Sequence, residues 1–216
     1  QYDNYALFEN NPDYTIHSCA TSRCFFGQFN FESEIMQDQN VRKAIEMGVD
    51  KEGFCSVIMQ GRGLPASAAF PDSFSYGNQA VETVSYDPEG AKALLKESGW
   101  TDSDGDGYVD KDGEKLTVNW LTYPTRLEQP KLAEYAQATL KEIGIDVKVN
   151  NTSDHMTYAG NGDFDVYVSS LTTAPTGDPE YFFTSTVTGP KNYGGYQNEE
   201  ETELKGKLHQ AFVTEE

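Results

Sequence analysis

From Leu116 to Val168 the apolar residues switch repeatedly between the spacing of a strand and that of a helix, and few folds accommodate such a pattern. Leu116, Val118 and Trp120 alternate as on a strand. Leu132, Ala136, Leu140 and Ile143 then follow helical spacing over Pro130–Ile143, which Gly144 stops. Ile145, Val147 and Val149 alternate again, and a short helix near Asp154–Ala159 leads to Phe164, Val166 and Val168 on a third strand. Strands joined through helices pair in parallel, because a parallel crossover needs a helix's length of chain. The fold class is therefore α/β, a mixed sheet whose β-α-β-α-β part is parallel and flanked by helices.

The chain upstream adds smaller pieces. Asp87 is placed to cap a helix that Pro88 opens, Ala91, Leu94 and Leu95 face inward, and Gly99 ends it. Val41, Ala44, Ile45, Gly48 and Val49 follow helical spacing, and Asp50 begins a second short helix that turns Phe54, Val57 and Ile58 inward. Tyr14–Phe31 reads as two extended pieces with a break near Ser22–Arg23. Gly61–Val84 reads as a long ordered loop, of the kind that is functional or packed onto another part of the protein. A last helix is predicted over Glu199–Val213, with Leu204, Leu208, Ala211 and Phe212 on one side.

With 35 acidic against 16 basic residues the formal charge is −19, which argues against nucleic acid, whose phosphates need clustered Lys and Arg. It equally disfavours an anionic membrane surface. No apolar run reaches the roughly 18 residues of a membrane span. Of the three cysteines, Cys19 and Cys24 are close enough to meet across a turn or to remain separate buried thiols, and with Cys55 they show no zinc-type spacing. Nucleophile-elbow, HExxH, Walker A and dinucleotide signatures are absent, so the expectation is a protein that is not an enzyme.

Four stretches carry a family resemblance: DQNVRKAIEMGVDKEGF after Phe29–Asn30, YDPEGAKALLKESGWTDSDGDGYVDKDGEK (Tyr86–Lys115), LKEIGIDVKV (Leu140–Val149), and GDFDVYV with APTGDPEYFF (Gly162–Phe183). In this order they resemble the solute-binding proteins of peptide and nickel ABC importers. The resemblance implies that residues 1–216 are one domain, the second lobe of a two-lobed periplasmic-binding-protein-like receptor whose other lobe lies outside this chain. It implies capture of a metal chelate, nickel foremost, or a short peptide between the lobes, with ABC permease subunits as partners. It also implies an extracytoplasmic place, periplasmic or anchored on the cell surface as a lipoprotein.

In an open α/β sheet, ligands sit beyond the carboxyl ends of the parallel strands. That rule selects the loops Tyr123–Glu128, Asn151–His155 and Leu171–Asp178, the last of which the resemblance also favours. The candidate ligand-binding residues are Thr172, Thr173, Ala174, Pro175, Thr176 and Gly177, with Tyr123, Arg126 and Tyr158. Arg126 is either a partner for a ligand carboxylate or a solvated surface residue. Asp178 and Pro179 read as the cap and first residue of a following helix. By the resemblance, oligopeptide-binding members of the family carry an aspartate where this chain has Pro175, and nickel-binding members a tryptophan near Thr173 and a histidine near Lys191–Asn192. This chain has none of these, although APTGDP is more similar to the nickel branch. Of the histidines, His155 alone falls where a ligand is within reach.

The turn DSDGDGYVD has a second reading. Asp102, Asp104, Asp106 and Asp110 fall at positions of a calcium loop, but Gly113 stands where a bidentate Glu closes a high-affinity site. The alternatives are a structural calcium ion, as in a calcium-stabilised extracellular interaction domain without a transport role, or a turn whose carboxylates bond nearby amides. No other cofactor is expected.

Overall fold

The computed structural model describes residues 2–19, 21–71, 74, 76, 81–82, 84–173 and 177–211. Its principal sheet has four strands in the order β1-β6-β4-β5. Strands β4 (Thr117–Thr122), β5 (Asp146–Asn151) and β6 (Val166–Thr172) are parallel, and β1 (Arg23–Phe29) runs antiparallel to β6. Two short strands, β2 (Asp110–Lys111) and β3 (Glu114–Lys115), form a separate hairpin. The helices are α1 (Glu34–Gln37), α2 (Gln39–Gly48), α3 (Lys51–Gly53), α4 (Pro88–Glu97), α5 (Glu128–Glu142), α6 (His155–Asn161) and α7 (Glu199–Gln210), with 3₁₀ segments at Tyr2–Leu7 and Pro179–Ser185. The predicted β-α-β-α-β run is thus β4-α5-β5-α6-β6.

The sheet separates two cores because its strand residues alternate between faces. On one face Val118, Trp120, Val147, Val166 and Val168 pack under α2, α4 and α5, through Ala44, Ile45, Leu95, Ala136 and Leu140. On the other, Leu121, Tyr123, Phe164 and Tyr167 pack with Ala159 of α6 and with Tyr193. Helices α2 and α5 cross closely at Gly48, where an added Cβ would stand 2.8 Å from Leu140 Cδ2 and 2.6 Å from Ile143 Cδ1. Gly144 takes φ +85° to turn from α5 into β5, and its carbonyl accepts from Val109 N at 2.8 Å. The helix starts read from sequence at Asp50, Asp87 and Asp178 are in place, each aspartate accepting a backbone N–H of the segment it precedes, and Asp38 caps α2 in the same way.

Four expectations need correction. Among its described residues Tyr14–Phe31 contains one strand, not two, and Tyr14 and Ile16 ahead of it are exposed. After α3 the chain continues as a π-wound turn, Phe54–Ile58, with Met59 N donating to Phe54 O. That wider turn carries Met59 inward beside Phe54 and leaves Val57 68% exposed. Helix α7 forms, but none of its residues is buried and Leu204 is exposed, because it rests on the 3₁₀ segment through Lys205 Nζ to Phe183 O and His209 to Glu180. Ala211 lies just past its end, and Phe212 and Val213 lie outside the described residues. Finally, Cys19 is exposed rather than buried, and all three cysteines are free thiols.

Among its described residues, the long loop after Met59 packs onto the rest of the protein at its aromatic side chains, while Leu64 is exposed. Phe70, 4% exposed, meets Phe74, Tyr76, Phe182 and Phe183, and Phe26 of β1 joins through Phe182. The Tyr76 hydroxyl donates to Gly177 O, which ties this loop to the segment leaving β6.

Candidate functional site

Parallel pairing points the carboxyl ends of β4, β5 and β6 the same way, with Thr122 level with Asn151, while β6, paired Leu121 to Tyr167, runs on beyond them to Thr172. Thr173 is 9% exposed, and among the described residues its hydroxyl has no hydrogen-bond partner. Thr172 is exposed and pairs through its backbone with Arg23. Gly177 takes φ +75°, and Asp178 caps the 3₁₀ segment through Glu180 N at 2.9 Å. Ala174, Pro175 and Thr176, the centre of the expected ligand loop, lie outside the described residues.

Tyr123 directly follows β4 and is 9% exposed. Its hydroxyl lies 3.2 Å from both N and Oγ of Ser170, which spans the gap between β4 and β6. Beneath it, Gln129 at the start of α5 is fully buried. The amide orientation that satisfies every neighbour directs its nitrogen to Thr122 Oγ1 (2.6 Å) and Val168 O (2.9 Å), while its oxygen receives Tyr123 O–H (3.1 Å) and Ser170 N–H (3.3 Å). One buried amide therefore fixes the ends of two neighbouring strands. Arg126 is exposed and makes no ion pair among the described residues, in keeping with either of its two readings.

The loop after β5 supplies His155. Its ring stacks on Tyr123 with centroids 4.2 Å apart and planes at 26°, and its Nδ1 lies 2.7 Å from the Tyr167 hydroxyl. Burial lowers the His155 pKa from the ordinary 6.5, against a smaller opposing pull from Asp154. Burial also pushes the Tyr167 phenol well above its usual range. The unfolded chain protonates this histidine before the folded one does, so its burial costs nothing above pH 6.5 and removes stability as pH falls below that value. No single residue type announces this cluster, although the spacing of His155 and Tyr167, at a helix start and on the next strand, is compatible with it.

Tyr158 does not join Tyr123. It lies on α6 and lines a separate open groove of about 630 Å³ with Asn30, Ser33, Asn119, Lys148 and Asp165, near the end of the sheet where β6 begins. The groove's buried polar groups are bonded to one another. Asp165 accepts from Ser33 Oγ at 2.6 Å, Asn119 N at 2.7 Å and Asn119 Nδ2 at 2.8 Å. Asn30 Nδ2 donates to the carbonyls of Gly162 and Phe164, at 3.1 and 2.9 Å. Asp165, just ahead of β6, is thus a buried junction that ties Ser33, the residue before α1, to β4.

In the Asp-rich turn, carboxylate oxygens of Asp102, Asp104 and Asp106 gather within 4.8 Å. Asp102 accepts from Gly105 N and Gly107 N, Asp104 from Asp106 N, and Asp106 from Tyr108 N and Lys115 Nζ. The Lys115 bond, then that of Tyr108 N, holds the Asp106 carboxyl below its usual range. Asp110 stands apart from the three, with its carboxylate turned to Ser103, whose amide and hydroxyl hold its pKa low.

A mixed sheet covered on both faces, with parallel strands joined through helices, is the fold of a periplasmic-binding-protein-like lobe. Residues 1–194 match the bacterial extracellular solute-binding proteins, family 5, in that family's middle portion, and the chain belongs to this family. It is 32% identical over 200 residues to the oligopeptide-binding protein AppA of Bacillus subtilis, covering 88% of this chain and 36% of AppA. It is 28% identical over 185 residues to the nickel-binding periplasmic protein of Escherichia coli, covering 85% of this chain and 35% of that protein. Among solved structures, NikA from Staphylococcus aureus in complex with Ni(L-His)2 superposes with a TM-score of 0.81 at 25% identity, covering 97% of this chain and 43% of that one. AppA of Bacillus subtilis in complex with a nonapeptide gives 0.81 at 26% identity, over 98% and 44%. The chain thus spans little more than a third of the two curated relatives. Among the described residues, no helix is long and apolar enough to cross a membrane.

Proposed function

We propose that this chain is one lobe of the substrate-binding component of an ABC importer, which captures a metal chelate or a short peptide between two lobes. The observation that carries the reading is the shared direction of β4, β5 and β6 in a family-5 fold, where Thr172, Thr173, Gly177 and Tyr123 stand at the strand ends. Ligand bridges the lobes, the hinge closes, and the closed form docks on the permease. The protein works by binding and release rather than by catalysis, outside the cytoplasm, with the full-length form free or lipid-anchored. Relatives named for nickel and for oligopeptides support both ligand classes. Pro175, where oligopeptide binders are expected to carry an aspartate, favours the chelate, since it offers no carboxylate to a peptide amine.

Native mass spectrometry of the full-length protein identifies the ligand as chelate or peptide. Replacing Thr173 and Thr176 together by Val is then expected to weaken its binding by about tenfold, through lost hydroxyl contacts. Unchanged affinity in calorimetry removes the strand-end assignment.

For the Asp-rich turn we propose a hairpin-shaping role without a resident ion. Its carboxylates already serve the turn's own amides and Lys115, which supports that role. Calcium at about 1 mM is expected to raise stability by less than about 0.5 kcal/mol, as befits a site no tighter than millimolar. A clearly larger rise in melting temperature, lost on chelation, restores the structural ion.

A further inference from the structure

We infer that His155 is held in the tautomer that carries its proton on Nε2, and presents that N–H at the strand ends as a donor to a ligand oxygen, a carboxylate foremost. The inference rests on the strand-end site proposed above.

Tyr167 is 3% exposed, and among the described residues its hydroxyl has one partner, His155 Nδ1. A buried hydroxyl that fails to donate loses its hydration without replacement. The Tyr167 proton therefore points at Nδ1, which must offer a lone pair, and a neutral imidazole then carries its hydrogen on Nε2. The reverse arrangement, with Nδ1–H donating to the phenol oxygen, would strand the phenol's own proton in the cluster of Phe164 and Tyr193.

Nε2 itself is bonded to no described residue and is not one of the buried unpartnered atoms, so it reaches solvent. The Tyr123 stack fixes the ring plane, and Ser170 fixes Tyr123. The N–H direction is thus set by neighbours before any ligand arrives, which lowers the ordering cost of binding. Burial keeps the ring neutral near pH 7, so it acts as a dipolar donor rather than a cation. The same tautomer argues against a metal bond. Coordination through Nε2 needs its lone pair, which would drive the proton to Nδ1 and orphan Tyr167. At this position the protein would read the chelator or peptide, not the metal.

Two measurements test this. Long-range ¹H–¹⁵N correlation of the imidazoles at pH 7.5, with His155 assigned through His155→Gln, should show Nε2 protonated and Nδ1 bare. Tyr167→Phe should release the ring to a mixture of tautomers. A proton on Nδ1 in the wild type overturns the inference. Calorimetry on the full-length protein then uses two probes, the nickel–L-histidine complex and trialanine. His155→Gln, whose side-chain amide can donate from nearly the same point, should bind whichever probe the wild type binds within about threefold. His155→Leu should weaken it about tenfold or more. Equal binding by Leu and wild type, or a Gln variant as weak as Leu, overturns the donor role. Binding of neither probe by the wild type overturns the strand-end reading and the recognition role with it, while the nitrogen spectrum still decides the tautomer.

Discussion

Asp165→Ala is expected to destabilise the protein by about 4 kcal/mol, read as a shift of the urea midpoint at constant slope. Asp165 is 7% exposed, and three donors converge on its carboxylate from Ser33 and Asn119. Hydrogen bonds to a charged group contribute about 1.5–3 kcal/mol each, and removing the acceptor leaves the donors partly orphaned. The open groove beside it admits water and recovers some of that loss, which is why the figure lies below the sum. Asp165→Asn supplies the control. With its NH2 group turned to Ser33, whose hydroxyl rotates to accept, its remaining oxygen keeps both Asn119 donors. The Asn variant should therefore lose less than Ala, the difference measuring the hydrogen bonds that the amide keeps. A loss below about 1 kcal/mol for Ala would mean that the junction is solvated and does not hold the start of α1 to β4.

Gln129→Leu is expected to cost about 3 kcal/mol in the same assay, because in a fully buried place it takes an acceptor from Tyr123 O–H and Ser170 N–H and a donor from the Val168 carbonyl, leaving them only the longer contacts among Tyr123, Ser170 and Thr122. Thr122 and Ser170 hydroxyls can rotate to recover part of it. Gln129→Glu keeps the shape and separates packing from polarity. Its carboxylate can accept from Tyr123 and Ser170, but its second oxygen then faces the Val168 carbonyl and Thr122 Oγ1, and a charge is buried. Glu should be at least as damaging as Leu. The losses should also reach the ligand, since Tyr123 and the ring stacked on it lose their anchor. A Leu variant of wild-type stability would show that the amide carries no strain-free network of the kind described.

Residues spaced locally made much of the fold legible. The alternation at Leu116–Trp120 and Ile145–Val149 located β4 and β5, and the caps Asp50, Asp87 and Asp178 located helix starts, because each signal acts within one or two turns of chain. The π-wound segment after Gly53 escaped because Phe54, Val57 and Ile58 fit α spacing equally well. Tyr158 and Tyr123 are both candidate ligand residues in the sequence, yet α6 carries Tyr158 to the groove beside Asp165.

The sequence by itself determined the α/β class, the family, and the three loops at which a ligand is expected, since periodicity, capping and motif order are properties of neighbouring residues. Tertiary structure alone decided which polar groups matter. Asp165 meets a serine 132 positions away, Tyr123 meets Ser170 across 47, and Tyr76 meets Gly177 across 101. An aspartate, a glutamine or a tyrosine looks the same in sequence whether solvated or buried. Its energetic weight is set by desolvation and by partners that only chain crossing supplies.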